Sequence, residues 1–172
     1  MKIHSTRFGH LEIDDKKILT FPEGLLGLEN LKRYTLLHEE NHVVSDINLP
    51  KEPRETEHIV HYLQSLDDPD LTFPLVDPSL FGFDYDLTLP EEDTRLLQVT
   101  AGDYVAVMLI VSKYPENEYR SDKPVFNNIS ANINGPLLIN TRSRIGMQKV
   151  LPNLRYNVVF HAGESAGQSM SA

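Results

Sequence analysis

Histidine is the side chain best suited to hold a metal or move a proton near neutral pH. The chain places His58 and His61 three residues apart, with Glu57 beside them. On a helix that spacing would bring both rings to one ion. The surrounding run, Ile59-Val60-His61-Tyr62-Leu63-Gln64-Ser65-Leu66, is β-prone, and strand residues three apart point to opposite faces. No metal site is expected there. Asp67, Asp68 and Asp70 supply oxygens of the kind calcium takes, but the turn glycine and the terminal bidentate Glu of a calcium loop are missing. A solvated, Asx-capped turn is the expectation.

Other chemistries fail on the same grounds. Gly24-Leu25-Leu26-Gly27 is not followed by the Lys-Ser/Thr of a phosphate loop, and no Gly-x-Ser-x-Gly elbow marks a nucleophile. Glu91 and Glu92 would need one carboxyl desolvated to serve as acid and base, yet they fall at an exposed helix start. Arg142, Arg144 and Lys149 make a compact basic group, interleaved with Ser143 and Gly146 as in a polar hairpin end. The expectation is no catalytic residue, no metal ligand and no cofactor.

The 172 residues contain no cysteine and no tryptophan. Disulfides, zinc ribbons and thiol nucleophiles are thereby excluded. A chain of this length buries roughly two thirds of its unfolded surface, enough for a core without such staples. Asp and Glu number 25 against 16 Lys and Arg, for a net charge of -9. Such a field repels phosphates, which argues against direct nucleic-acid binding, and speeds encounters with a basic partner. Residues Met1 to Arg7 carry no apolar leader, and the longest apolar run, Tyr104 to Val111, is far short of the roughly 20 residues that span a bilayer. A cytoplasmic location is expected.

The elements that must position these residues are short β-prone runs punctuated by Pro, Gly, Asn and Asp. Strands are expected at Ile3–Phe8 with a return at Leu11–Ile13, at Ile18–Phe21, Arg33–Leu37, Ile59–Leu66 and Leu71–Val76. Pro74 predicts an edge or bulge for the last of these. Tyr104–Val111 does not alternate, so a strand buried on both faces is predicted. Further strands are expected at Val125–Ile133, Leu137–Asn140 and Ile145–Leu151, with Asn134-Gly135 as a hairpin turn. Pro90 to Leu97 is the best helix, its first turn acidic. Glu29–Lys32 offers one further helical turn, and His38–Glu57 is a long polar loop. The fold class is all-β: a small antiparallel β-barrel-like single domain over residues 1–161 with one or two short helices. Residues 162–172, rich in Gly, Ser and Ala, form a disordered tail.

Read in chain order, four segments resemble the flagellar assembly factor FliW family. They are Phe21-Pro22-Glu23-Gly24-Leu25-Leu26-Gly27-Leu28 with Lys32-Arg33-Tyr34; Gln64-Ser65 through Phe73-Pro74-Leu75-Val76-Asp77-Pro78; Asp84-Tyr85, an acidic helix and Val105-Ala106-Val107; and Asn128-Ile129-Ser130-Ala131-Asn132 through Gly135-Pro136-Leu137-Leu138-Ile139-Asn140. The resemblance implies a β-barrel-like protein without catalytic activity. It implies two partners, flagellin and the CsrA-type RNA-binding regulator. Binding the regulator relieves repression of flagellin translation, and accumulated flagellin restores it. The polar stretch 38–57 and the Asn134-Gly135 pair depart from the family pattern.

Within that picture, acidic loop residues Glu23, Asp67, Asp68 and Asp70 are candidates to steer a basic regulator. Leu25, Leu26 and Phe81 are candidates to anchor an amphipathic flagellin helix. The leucines could equally fold back on the barrel end as a plug. The competing class is a ligand carrier or enzyme on a small barrel. Convergent polar groups inside would mark it, whereas an interior filled by Val107, Leu109 and Ile139 would mark a binding module.

Overall fold

Short apolar stretches with period two can bury one face by curling the sheet onto itself, and the wall of this protein closes in that way. The structure, a computed structural model, describes residues 1–38, 60–113, 129–151 and 157–160. The strands are β1 (Lys2–Ser5), β2 (Gly9–Glu12), β3 (Ile18–Thr20), β4 (Arg33–His38), β5 (His61–Ser65), β6 (Thr72–Val76), β7 (Phe83–Asp86), β8 (Val105–Lys113), β9 (Ile129–Ala131), β10 (Leu137–Asn140), β11 (Ile145–Gln148) and β12 (Asn157–Phe160). One helix, α1 (Glu91–Leu96), precedes β8, and 3₁₀ turns cover Asp15–Lys17 and Pro78–Phe81.

The wall runs β10-β11-β3-β4-β5-β6-β8 and closes where β8 pairs with β10. All neighbours in that ring are antiparallel except β11 and β3, which meet in parallel at Ile145 and Thr20. The interior is packed with Leu19, Phe21, Tyr34, Leu63, Leu75, Met108, Leu137 and Ile139. Phe21 and Tyr34 are fully buried, their rings edge-to-face at 5.2 Å. Burial pushes the Tyr34 hydroxyl up to about 12, with Asp67 adding to the shift. Gly146 lies under the Phe21 ring, where a Cβ would overlap it.

The strand expected at Tyr104–Val111 packs on both faces, but it begins at Val105, and Tyr104 is exposed. Met108 and Ile110 of β8 pack with the barrel core, Leu109 and Val111 with Val76, Phe81 and Tyr85, and Val105 and Val107 with Leu97, Leu138 and Met147. Val107 and Leu109 therefore line the outer face, and only Ile139 of the three residues named for the interior lies inside. The α1 segment covers this outer layer, tied down by a 2.5 Å ion pair between its buried Asp93 and Lys149.

Several expectations are corrected. Asn134-Gly135 does not reverse the chain between two paired strands. Both β9 and β10 run antiparallel to β8, so residues 132–136 interrupt one long pairing. The nine residues of β8 are long enough for both partners, and Pro136, which cannot donate, breaks the ladder without turning it. Pro74 lies within the wall, opposite Tyr62 of β5, and not on an edge strand. Pairing of β6 with β8 is confined to Leu75 and Val76, so the missing donor falls just beyond it. Glu29 and Asn30 form a hydrogen-bonded turn and no helix; Leu31 N–H donates to Leu28 O at 3.0 Å. His38 closes β4 opposite His61. The rest of the loop expected at 38–57, Ile59, the start of the strand expected at Val125, and the tail at 162–172 lie outside the described residues.

Candidate functional site

The loop after β3 carries the most exposed large apolar side chain among the described residues. Leu26 is 72% exposed, while its neighbour Leu25 is 3% exposed and belongs to the barrel core. Gly24 and Gly27, with φ of +73° and +80°, allow the chain to reverse on either side of the pair. A Cβ on Gly24 would stand 2.6 Å from the Cα of Glu29, so only glycine fits that approach. Leu28 N–H donates to Leu25 O at 2.8 Å, and Leu28 and Leu31 pack against the core. The loop leucines thus divide: Leu25, Leu28 and Leu31 pack against the barrel core, and Leu26 stands outside it.

The tip is bonded to the end of β11, the strand that neighbours β3. Leu26 N–H donates to Gln148 Oε1 at 2.9 Å, and Gln148 Nε2 donates to Gly135 O at 3.2 Å. Glu29 Oε1 accepts from Gly27 N–H at 2.8 Å, which lowers the pKa of that carboxyl. Glu23 is exposed on the same loop.

The acidic turn after β5 adjoins this loop through Lys32. Lys32 Nζ donates to Pro22 O, and its backbone N–H to Asp67 Oδ2. Asp67 also accepts from the backbone N–H and Nε of Arg33, 2.9 and 2.8 Å away. Burial pushes the Asp67 carboxyl up, but these donors outweigh it and its pKa is lowered. Its charge is committed to Arg33. Asp68 and Asp70 shape the turn: Asp70 N–H donates to Asp68 Oδ1, and Asp70 accepts from the Thr6 hydroxyl of the β1–β2 hairpin.

Below the turn, Gln64 is fully buried. Its Oε1 accepts from the Ser5 and Thr72 hydroxyls, both at 2.6 Å, and its Nε2 donates to the Ser65, Pro69 and Leu71 carbonyls. The turn therefore rests on a satisfied network that also docks the hairpin.

Of the predicted site residues, Glu23 and Leu26 share one exposed loop, and Asp67, Asp68 and Asp70 share the neighbouring turn. Phe81 is apart from them: it packs partly buried against Val76, Leu109 and Val111. Lys32 and Gln148 were not foreseen, because their roles depend on contacts 35 and 122 residues away in sequence. Another exposed large side chain, Tyr104, borders a shallow groove of about 210 Å³ lined by Asp77, Pro78, Asp84, Tyr85, Val105 and Val107. The Tyr85 hydroxyl, pushed up to about 12 by burial, donates to Ile133 O at 2.6 Å.

A closed, apolar-filled barrel with an acidic rim and an outward leucine defines the class as a small β-barrel protein. Comparison with known proteins gives the family. The model of the FliW protein family matches residues 2–161. The flagellar assembly factor FliW of Azoarcus sp. (strain BH72) is 34% identical over 159 residues, covering 92% of this chain and 97% of that one. That of Chromobacterium violaceum is 34% identical over 161 residues, covering 94% and 99%. A crystal structure of the flagellar assembly factor FliW superposes with a TM-score of 0.65 at 27% identity, covering 94% of this chain and 96% of that chain. The chain belongs to the FliW family.

Proposed function

We propose that this protein acts in flagellar assembly as a cytoplasmic regulatory binding protein. It engages flagellin and a CsrA-type RNA-binding regulator in alternation and transforms neither. The observation that carries this reading is Leu26: 72% exposed, on a backbone tied by its N–H to Gln148. An apolar anchor that is already ordered loses little conformational freedom on binding, which favours a specific partner. Glu23 beside it and the turn at Asp68 and Asp70 give the surrounding surface a negative sign. That sign suits a basic regulator and speeds its approach.

In this reading Leu26 seats against the apolar face of a flagellin helix. The acidic turn meets the regulator and lowers its hold on RNA by opposing the phosphate charge. Leu25 and Asp67 contribute from below, the first through the core and the second through Arg33. Phe81 supports a separate part of the surface.

The test is a three-component titration. Saturating protein should release flagellin leader RNA from the regulator, and added flagellin should restore the RNA complex. An RNA complex unchanged at saturation would overturn the reading. A variant carrying D68N and D70N should release the RNA less well while keeping its fold.

A further inference from the structure

The register of β1 against β2 sets Lys2 opposite Glu12, Ile3 opposite Leu11 and His4 opposite His10. Lys2, His4, His10 and Glu12 are exposed, while Ile3 and Leu11 are half-buried and Ser5 is fully buried. The alternation of the two strands thus puts both imidazoles on the outer face of the hairpin, with Glu12 two residues from His10. The rings lie with centroids 4.8 Å apart and planes at 72°.

That separation has a chemical reading. An imidazole nitrogen binds zinc at about 2.0–2.1 Å, and the ring centroid lies about 1.1 Å behind it. Two imidazoles sharing one ion at angles of about 90–110° then have centroids about 4.5–5.2 Å apart. His4 and His10 fall inside that window. The chain holds an internal comparison, since His38 and His61 also face each other across paired strands, but at 6.4 Å they fall outside it.

We propose that His4 and His10 form a two-imidazole site for a divalent transition ion of the zinc, nickel and copper class. Water fills the other coordination positions. Among the described residues no three His, Asp or Glu side chains converge as a ligand set, so those residues contribute the pair alone. Lys2 stands opposite Glu12 in the register. The two histidines are six residues apart, and only the hairpin register makes them neighbours, so a search for ligand spacing passes over them. A bound ion would clamp β1 to β2, and the hairpin is in turn docked on Gln64 through Ser5.

The test is calorimetric titration of the tag-free chain with Zn²⁺ at pH 7.5. One ion should bind per chain, and the unfolding temperature should rise with its concentration. Loss of a group that merely orients a ligand costs about 10–100-fold in affinity, so H4Q and H10Q should each lose about tenfold or more. H38Q should bind as the parent chain does. All three positions lie at the surface, and circular dichroism of each variant checks that it is folded. Parent-like binding by H4Q or H10Q, loss of binding in H38Q, or no saturable binding at all would overturn the proposal.

Discussion

The backbone N–H of Leu26 is bonded to the side-chain oxygen of Gln148 at 2.9 Å, across 122 residues of sequence. The contact ties the tip of the β3–β4 loop to the end of β11. It converts an exposed leucine on a glycine-flanked loop into an ordered feature of the barrel rim.

Removing that tie separates order from anchoring. Gln148→Ala leaves the Leu26 amide to water and should lower stability by about 0.5–1.5 kcal/mol, the net worth of an ordinary hydrogen bond. Partner affinity should fall about 3–10-fold, because the loop must then be ordered on binding. Urea unfolding and a binding titration of the same sample measure both.

The two glycines of the loop should respond unequally. Gly24→Ala forces a Cβ to within 2.6 Å of the Glu29 backbone in addition to a positive φ, whereas Gly27→Ala meets nothing within 4 Å. The latter should cost about 1–2 kcal/mol, the ordinary penalty of a left-handed alanine. The former should cost clearly more. Equal unfolding midpoints would show that backbone strain alone sets the loop.

Acid should act through Asp103. Its carboxylate accepts from Arg142 Nε at 2.7 Å, from the Thr100 N–H and from Asn140 Nδ2, and these hold its pKa well below the usual carboxylate range. A carboxyl with a depressed folded pKa stabilises the fold above its unfolded value, and that contribution is lost as pH falls toward the folded one. Asp103→Asn should therefore be less stable than the parent chain at pH 7. The gap should narrow steadily below about pH 4, where the unfolded carboxyl begins to protonate. Urea midpoints at pH 7, 4 and 2.5 test the sign.

Asn140 joins the end of α1 to the β10–β11 turn. Its Nδ2 donates to Leu97 O, Gln98 O and Asp103, and its Oδ1 accepts from the Arg142 N–H at 3.0 Å. Asn140→Asp removes the donors and sets a second carboxylate against the first. It should destabilise by about 2–4 kcal/mol, in the range for a buried polar group left unsatisfied beside a like charge. Thermal unfolding at pH 7 measures the loss.

Much of the barrel was legible because alternation and turn residues are local signals. The runs that became β4, β5, β6 and β8 were placed to within a few residues, and Pro90 with three acids marked α1. What stayed hidden depends on partners distant in sequence. Asn134-Gly135 has the chemistry of a hairpin, but β8 accepts both flanking strands on one edge, and nothing near residue 134 reports that. The parallel contact of Ile145 with Thr20 is likewise a property of closure. In the candidate site the leucine-rich loop was visible as a type. Which leucine faces out was not, because the choice is made by the packing of Leu25 with Phe21 and Tyr34 and by the reach of Gln148.

The most direct test compares two adjacent leucines in one flagellin-binding titration. Leu26→Asp should keep stability within about 0.5 kcal/mol, as exposed substitutions do, and should lose about tenfold or more in flagellin affinity, as expected when an interface anchor is removed. Leu25→Ala should lose about 2–5 kcal/mol of stability, as buried leucines do, and the fraction that remains folded should still bind. Full flagellin affinity in the folded Leu26→Asp variant would contradict the account.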